Sequence, residues 1–421
     1  MIVVYVIANK HFPLCSGWKR CLNGVCILMV PVRAADSLSK EYFYLIPAVD
    51  KLEQRMYINR KLKNISRKIR KLLKYFYYTQ HKAELDNQAP TAVVNLSGSL
   101  LNKDMGRYGF VICQMLKFAG FQLIVKVNPD FFASKTPYKS MLRAQGFKLV
   151  RNTSLKPDTI SFHGFKQKKK IVNLVYGNSA GISDAHVYAM PYPLHPRFYE
   201  AYLSPSDFGK FRQQQRTTRI IFSGNFDRKL YSKSVLKERF PGTISRVEVL
   251  DHIEANHAAD ARIVRATSKE DLYERLRVKP AANQFIISEA RTPDGDWLDI
   301  LSKGDFYLCL PGVRMPWSHN AIEAMAVGTI PILQYDGLFY PPLEHLKNCI
   351  SYGAYASLDE AIQIALSMDK DKVAELKAAV IKYHDEHLAT HQTVNKLQTF
   401  VESAAESMVV GLPFLEKKSG Q

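Results

Sequence analysis

The sequence predicts an α/β protein built from two Rossmann-like domains and preceded by a basic amphipathic helix. At 421 residues the chain is long enough for two sizeable cores. From residue 91 onward, short apolar runs alternate with helical segments, a pattern that favours parallel sheets. We divide the chain into 1–50, unassigned; 51–90, the basic helical segment; 91–190, the N-terminal Rossmann-like domain; 191–216, a proline-rich linker; 217–405, the C-terminal Rossmann-like domain; and 406–421, a tail.

The most informative stretch is 305–333, which predicts a strand, a loop, a helix and a second strand. Residues 306–310 form an apolar run too short for a helix, and Pro-Gly follows it. Ser318 is a suitable N-cap for the next segment, and Gly328 is placed to end it. Residues 329–333 then return as a buried strand, so the stretch predicts a βαβ unit in a parallel sheet.

The loop and first helical turn of this unit carry the side chains expected of an anion site. Backbone N–H groups at a helix N-terminus, together with the helix dipole, favour a phosphate. The candidate residues are Gly312, Arg314, Ser318, His319, Asn320 and Glu323. Glu323 lies one turn further into the helix, where a carboxylate can accept hydrogen bonds from ribose hydroxyls. An ordinary βαβ unit with a surface glutamate is the open alternative.

Pro-Gly, then Ser-x-x-x-x-Glu-Ala, then Gly-x-x-Pro-Ile resembles the nucleotide-sugar signature of the exostosin-like glycosyltransferases. More broadly it resembles the C-terminal domain of the GT-B glycosyltransferases, whose two Rossmann-like domains face each other across a cleft. The resemblance implies that Glu323 holds the ribose and that Ser318 and the loop amides hold the diphosphate. Exostosin relatives usually carry arginine where this chain has Asn320. The missing charge is therefore expected from elsewhere, with Arg314 as one candidate.

A second donor-side loop is predicted after the strand at 219–222, where the chain reads Ser-Gly-Asn and soon afterwards Arg-Lys. In GT-B relatives this first strand and loop of the C-terminal domain face the donor, and a basic residue there often meets the diphosphate. By that resemblance Gly224, Asn225, Arg228 and Lys229 are donor-binding candidates. A solvated pair of surface cations at Arg228 and Lys229 is the open alternative.

The resemblance also implies that residues 91–190 bind the acceptor, and that an inverting reaction would take its general base from this domain. The loop at 98–109 occupies the place where the superfamily often positions its acceptor. The titratable candidates in or near predicted loops are Asp104, Asp130, His163, Asp184 and His186. The sequence does not choose among them.

Residues 54–83 hold ten Lys or Arg and no Asp or Glu, in a chain of net charge +19. Their apolar residues recur at spacings of three and four, which predicts a stripe along one helix face. Such a basic amphipathic helix is typical of contact with an anionic membrane surface. Two alternatives stay open: a helix docked on the catalytic domain, and a nucleic-acid arm, which is the least favoured of the three.

Other features limit the chemistry and the cellular setting. The six cysteines form no Cys-x-x-Cys pair, which fits a reducing compartment with neither a disulfide framework nor a zinc site. His384, His387 and His391 share a helical face, which we interpret as a solvent-facing polar stripe, so no metal site is predicted. No basic segment precedes the first apolar run, as a signal peptide requires. We expect a cytoplasmic protein at the inner face of the membrane.

The expected function is transfer of a sugar from a nucleoside diphosphate sugar to a glycan or glycolipid acceptor. The expected setting is cell-surface polysaccharide or lipopolysaccharide synthesis, without a metal and without a cofactor besides the nucleotide-sugar substrate. A nucleotide-sugar epimerase on the same fold is one alternative. A non-catalytic protein that binds membranes or polyanions through an inactive fold is the other.

Overall fold

The computed structural model describes residues 2–7, 18–22, 25–30, 60–80, 89–98, 106–132, 136–164, 170–177, 187–199, 201, 204–225, 227–232, 235–277, 284–290 and 292–413. The strands are β1 (Ile2–Ile7), β2 (Trp18–Leu22), β3 (Val25–Val30), β4 (Thr91–Asn95), β5 (Gln122–Lys126), β6 (Lys148–Val150), β7 (Thr159–His163), β8 (Lys170–Gly177), β9 (Val187–Ala189), β10 (Thr218–Ser223), β11 (Ile263–Ala266), β12 (Phe285–Ser288), β13 (Gly304–Leu308), β14 (Ile330–Leu333), β15 (Ile350–Ser351) and β16 (Ser407–Pro413).

The α-helices are α1 (Arg60–Gln80), α2 (Arg107–Phe118), α3 (Pro137–Ala144), α4 (Gly209–Arg212), α5 (Arg228–Tyr231), α6 (Val235–Arg239), α7 (Arg246–His257), α8 (Lys269–Arg277), α9 (Trp297–Leu301), α10 (His319–Ala326), α11 (Tyr355–Ser367), α12 (Lys370–Tyr383) and α13 (Thr390–Glu402). A π-helical turn, His384–Leu388, joins α12 to α13. Strands and helices therefore alternate along both predicted domains, which confirms the α/β class.

The chain forms two compact units, of which the first comprises Met1–Phe110 and Gln122–Thr159. In this unit β4, β5 and β6 are parallel, with β5 between the other two strands. Within the first fifty residues, left unassigned from the sequence, β1, β3 and β2 form a small antiparallel sheet with β3 in the middle.

Helix α1 also belongs to the first unit, and it packs against β6 and the short helical turn Pro129–Phe132. The Leu73 side chain is 5% exposed. The guanidinium of Arg151 lies 5.3 Å from the centroid of the Phe76 ring, a cation–π arrangement. For residues 67–79 these contacts support the docked alternative. Among the described residues, no helix has both the length and the apolarity to cross a membrane.

The second unit comprises Val111–Phe121 and Ile160–Gln421. Here β16 lies between β8 and β9 and is parallel to both. The tail expected from residue 406 is therefore wrong over Ser407–Pro413. Its alternate side chains Met408, Val410 and Leu412 are buried, and pairing on both edges fixes the backbone.

The second unit also contains a six-stranded parallel sheet, in the order β11–β12–β10–β13–β14–β15. Strands β10, β12 and β14 are buried along their whole length. Continuous burial is expected of parallel strands covered on both faces, and it explains why these strands read as unbroken apolar runs. The predicted βαβ unit is confirmed as β13, α10 and β14.

The proline-rich segment 191–216 is not a free linker, because its end holds the C-terminus of α10. Arg212 Nε donates a hydrogen bond of 2.9 Å to Ala326 O, and Arg216 Nη2 donates one of 2.8 Å to Val327 O. The last carbonyls of a helix lack partners within the helix, and cations there also complement its dipole. Two arginines from a distant part of the sequence therefore stabilise α10.

His384, interpreted from the sequence as solvent-facing, is fully buried. It lies next to Asp385, which binds Arg212 at the end of α10. Burial lowers the pKa of His384, and its Nδ1 lies 2.9 Å from Asp385 Oδ1. Asp385 accepts two hydrogen bonds from the Arg212 guanidinium, at 2.6 and 2.9 Å. The interpretation as a solvent-facing polar stripe is therefore wrong for His384. His384 orients the Asp385 carboxylate, and that carboxylate orients Arg212.

Candidate functional site

The six-stranded sheet reverses the direction of its connections between β10 and β13. The chain leaves β10 for β11 on one side and returns from β12 to β13 on the other side of β10. In open parallel sheets, ligands bind outside the carboxyl ends of the strands at such a switch point. Here those ends are Ser223 and Leu308, so the loops that follow them define the candidate site.

Helix α10 begins at this edge of the sheet, with Ser318 as its N-cap in extended conformation, as predicted. The Ser318 Oγ makes no capping bond. It is buried beside the equally buried hydroxyl of Tyr335, and among the described residues neither hydroxyl has a hydrogen bond of good geometry. Burial raises the pKa of Tyr335 well above its usual value. The positive end of the helix dipole and the Ser318 hydroxyl suit this helix tip to an anion.

The loop between β13 and α10 is tight, and a glycine makes it possible. Gly312 N donates a 3.0 Å hydrogen bond to Met315 O, and a Cβ at Gly312 would lie only 2.9 Å from that oxygen. Any other residue would force the backbone apart. Arg314, on the same loop, is exposed. The loop therefore presents a cation beside the helix tip.

Asn320, the neutral residue where exostosin relatives carry arginine, is engaged with its own chain. Its Nδ2 donates to the Tyr307 hydroxyl at 3.0 Å, and that hydroxyl donates to Ser223 O at 2.8 Å. Tyr307 is fully buried, and burial raises its pKa. The three residues tie α10 to both strands of the switch point, so Asn320 supports the site without supplying charge.

Arg246 brings the charge that Asn320 lacks. It is the first residue of α7, is 5% exposed, and lies over the rings of Phe222 and Tyr231. Its Nη1 donates to Asn225 O at 3.1 Å, and its Nη2 donates to Leu310 O at 3.4 Å. It thus bridges the loops after β10 and β13.

All of the described hydrogen-bond partners of Arg246 are neutral. The Nη1 group also meets the Tyr231 hydroxyl at 3.0 Å, while Nε is buried without a partner. Within the described part of the chain no carboxylate forms an ion pair with this guanidinium. A buried charge is costly unless it is paired. Arg246 is therefore a buried cation at the switch point that has no ion-pair partner among the described residues.

Glu323 is fully buried, and both of its carboxylate oxygens accept hydrogen bonds. The backbone N of His195 donates to Oε1 at 2.9 Å, and Trp297 Nε1 donates to Oε2 at 2.5 Å. The ring of His319 lies across that of His195, with centroids 4.9 Å apart. Glu323 thus joins α10 to α9 and to residue 195. Its ribose role stays a prediction, since the carboxylate is covered here.

The remaining donor candidates lie at or beyond the loop after β10. Gly224 and Asn225 are on the loop, where Arg246 contacts them. Arg228 and Lys229 begin the exposed helix α5. Arg228 forms an ion pair with Asp251, with N–O distances of 2.6 and 2.9 Å. A diphosphate would have to compete with that carboxylate.

A cavity of about 120 Å³ lies beside Arg246 on the side of α7 that faces Arg228. Its charged lining residues are Arg228, Arg246, Arg265, Asp251, Glu254 and Glu289. Three cations and three carboxylates balance one another, which does not favour an anion inside the cavity. The helix tip and the loop after β13 are therefore the better place for a phosphate.

Of the general-base candidates, His163 is the one whose side chain the structure describes. It ends β7, is exposed, and its Nε2 lies 3.4 Å from Ser161 Oγ. Asp104, Asp184 and His186 lie outside the described residues. Asp130 lies in the turn Pro129–Phe132, and its side chain is not described.

No protein-family model matches the chain, and no curated protein matches it. Among solved structures the chain is similar to a UDP-forming α,α-trehalose-phosphate synthase from Burkholderia xenovorans, with 12% identity over 92% of this chain and 91% of that chain and a TM-score of 0.35. It is also similar to HepE from Anabaena in complex with UDP and glucose, with 12% identity, coverage of 87% and 83%, and a TM-score of 0.31. A third is AviGT4, a glycosyltransferase involved in avilamycin A biosynthesis, with 13% identity, coverage of 74% and 98%, and a TM-score of 0.32. Scores this low do not establish a shared fold, so we base the function on the chain's own residues.

Proposed function

We propose that this chain is a glycosyltransferase that uses a nucleoside diphosphate sugar as its donor. The observation that carries the proposal is Arg246, a buried guanidinium without a carboxylate partner among the described residues, at the switch point of a parallel sheet. The stretch that resembles the exostosin-like and GT-B signature falls on the adjoining loop and on α10. A helix tip and a buried cation without an ion-pair partner among the described residues together favour a ligand that carries phosphate.

In the proposed reaction, the positive charge of Arg246 stabilises the leaving diphosphate. The acceptor hydroxyl oxygen bonds to the anomeric carbon of the donor sugar, whose bond to the diphosphate oxygen breaks. The acceptor proton passes to a general base, and negative charge grows on the leaving diphosphate. The tip of α10 supplies the equivalent of about half a charge. Arg246 and the exposed Arg314 supply the rest, so the proposed stabilisation uses no metal.

The bond of Arg246 to Leu310 O, at 3.4 Å, is the longest of its described hydrogen bonds, and Leu310 is on the loop that leads from β13 to α10. A phosphate oxygen that replaced this carbonyl would add the attraction of opposite charges to the hydrogen bond. Arg228, by contrast, is exposed and already paired with Asp251. We therefore assign the diphosphate to Arg246 and Arg314, and no longer to Arg228.

Glu323 has two roles in the proposal. In the structure it fixes α10 against His195 and Trp297. Contact with ribose, the role that the resemblance implies, requires the Trp297 side chain to move off Oε2. The proposed acceptor is a glycan or glycolipid, as in polysaccharide or lipopolysaccharide synthesis, and the exposed cations of α1 would hold the enzyme at an anionic membrane surface.

The function is tested by incubating the full chain with a panel of nucleoside diphosphate sugars, with and without a mixture of glycan and glycolipid acceptors. We expect release of nucleoside diphosphate that increases with acceptor, together with a product heavier by one sugar. Conversion of the donor to an isomeric nucleotide sugar without acceptor would instead identify an epimerase. Donors that remain unchanged under every condition would contradict the proposal.

A further inference from the structure

Helices α7 and α11 meet at a cluster of two histidines and one aspartate that lies outside the proposed donor site. Nε2 of His252 lies 2.8 Å from Asp359 Oδ1, and Nε2 of His257 lies 2.7 Å from the same oxygen. The three ligand atoms all lie within 4.8 Å of one another. The cluster is partly buried, with side-chain exposures of 17% for His252, 12% for His257 and 36% for Asp359.

Two imidazole nitrogens and one carboxylate oxygen are ligands that zinc accepts. Zn–N and Zn–O bonds of about 2.0–2.2 Å at tetrahedral angles separate the ligand atoms by about 3.4 Å. Each Nε2 would have to move about 0.6 Å from the carboxylate oxygen to reach that separation. Small changes of side-chain torsion can provide this movement. Three protein ligands leave a fourth position for water.

The surroundings orient the ligands. The His252 ring stacks on Tyr355, with centroids 4.7 Å apart, and its Nδ1 lies 3.1 Å from Asn256 Nδ2. A metal-bound histidine donates its second N–H to an oxygen. The Asn256 side chain is exposed, so its amide can turn to present the oxygen.

We propose that His252, His257 and Asp359 form a binding site for one Zn²⁺ ion that fastens α7 to α11. Arg246 begins α7 and His257 ends it, so the two lie about 16 Å apart along the helix axis. The ion would hold the helix that carries Arg246 without touching the donor. The site is independent of the proposed glycosyl transfer and can be tested without any nucleotide.

The test uses the full chain without a histidine tag, stripped with a chelator and dialysed against Zn²⁺ and, separately, Co²⁺. We expect one ion bound per chain and visible d–d absorption from bound Co²⁺. His257→Gln and Asp359→Asn should each weaken binding at least about tenfold, since changes that only orient a ligand typically cost 10–100-fold. Affinity should fall as the solution is made more acidic, because protons compete with the metal for its ligands.

His387→Gln is the matched control, because His387 belongs to the other histidine-rich segment of the chain. It should bind zinc within about twofold of the wild type, and the melting temperature of each variant in chelator shows whether it is folded. Folded wild-type protein that binds no Zn²⁺ at about 100 µM, far above the concentrations at which protein zinc sites fill, would overturn the proposal. Equal binding by wild type, His257→Gln and Asp359→Asn would overturn it as well.

Discussion

Glu323 is a residue whose place in the structure differs from the place that its motif implies. The resemblance implies a carboxylate that holds the ribose, but in this structure its oxygens accept hydrogen bonds from the backbone N–H of His195 and the indole N–H of Trp297. The sequence could not show this, because His195 lies 128 residues away. Nothing in a local pattern distinguishes a glutamate that meets a ligand from one that meets a distant backbone.

Glu323→Gln tests the structural role. The amide keeps one acceptor oxygen but turns an N–H₂ group toward a donor, so one buried donor loses its partner. We expect the free energy of unfolding to fall by about 1–3 kcal/mol, the usual cost of an unsatisfied buried group. Urea denaturation measures it. Unchanged stability with weakened donor binding would instead support the ribose role alone.

Asp385→Asn tests the anchor of α10 through its pH dependence. Burial alone would raise the pKa of Asp385, but hydrogen bonds from His384 and Arg212 outweigh it and lower the pKa to about 2. Because the folded pKa lies below the unfolded value of 3.8, the stabilisation is complete above about pH 5 and is lost as the pH falls toward 2. The variant should be less stable by about 1–2 kcal/mol at pH 7, a value reduced for partial exposure.

The stability deficit of Asp385→Asn should then shrink as the pH falls from about 5 to 3. Wild type and variant are compared by urea denaturation at each pH. A deficit of the same size at pH 7 and pH 3 would show that the carboxylate's charge does not hold Arg212.

At the scale of elements, regular apolar patterns predicted their strands and helices correctly. Apolar patterns that polar residues interrupt did not predict theirs. The unit of β13, α10 and β14 was predicted because its strands are continuous apolar runs. Helix α7 was missed because the first member of its buried stripe is an arginine: Arg246, Val249, Leu250 and Ile253. These positions are i, i+3, i+4 and i+7, which lie on one face of a helix. The Ser-x-x-Glu capping box at Ser245 and Glu248 was the signal that could have found it.

Helix α1 yields a prediction that separates docking from membrane contact. Leu73→Ala should lower the free energy of unfolding by about 2–3 kcal/mol, because the side chain is buried against the first unit. Lys68→Ala, on the exposed side of the same helix, should change it by less than about 0.5 kcal/mol. If Leu73→Ala leaves stability unchanged but weakens binding to anionic vesicles, the apolar stripe serves a membrane.

At the scale of the whole molecule, the sequence predicted the α/β class and the βαβ unit at the switch point. It could not predict what sequence-distant segments contribute: Arg212 and Arg216 at the end of α10, and β16 between β8 and β9. For the missing charge it offered Arg314 and, by resemblance, Arg228 and Lys229, and these assignments stay predictions. The structure pairs Arg228 with Asp251 and shows Arg246, which the sequence did not single out, at the switch point.

The central claim is that Arg246 holds the diphosphate of the donor, and calorimetry tests it most directly. Wild type, Arg246→Gln and the control Arg262→Gln, whose arginine pairs with Asp260 elsewhere, are titrated with five nucleoside diphosphates and the matching nucleosides. We predict that wild type binds at least one diphosphate and that Arg246→Gln weakens it by at least about tenfold, or 1.4 kcal/mol. The matching nucleoside should bind both proteins equally, and Arg262→Gln should behave as wild type. A folded Arg246→Gln variant with wild-type affinity, or a wild type that binds none of the diphosphates, would contradict the claim.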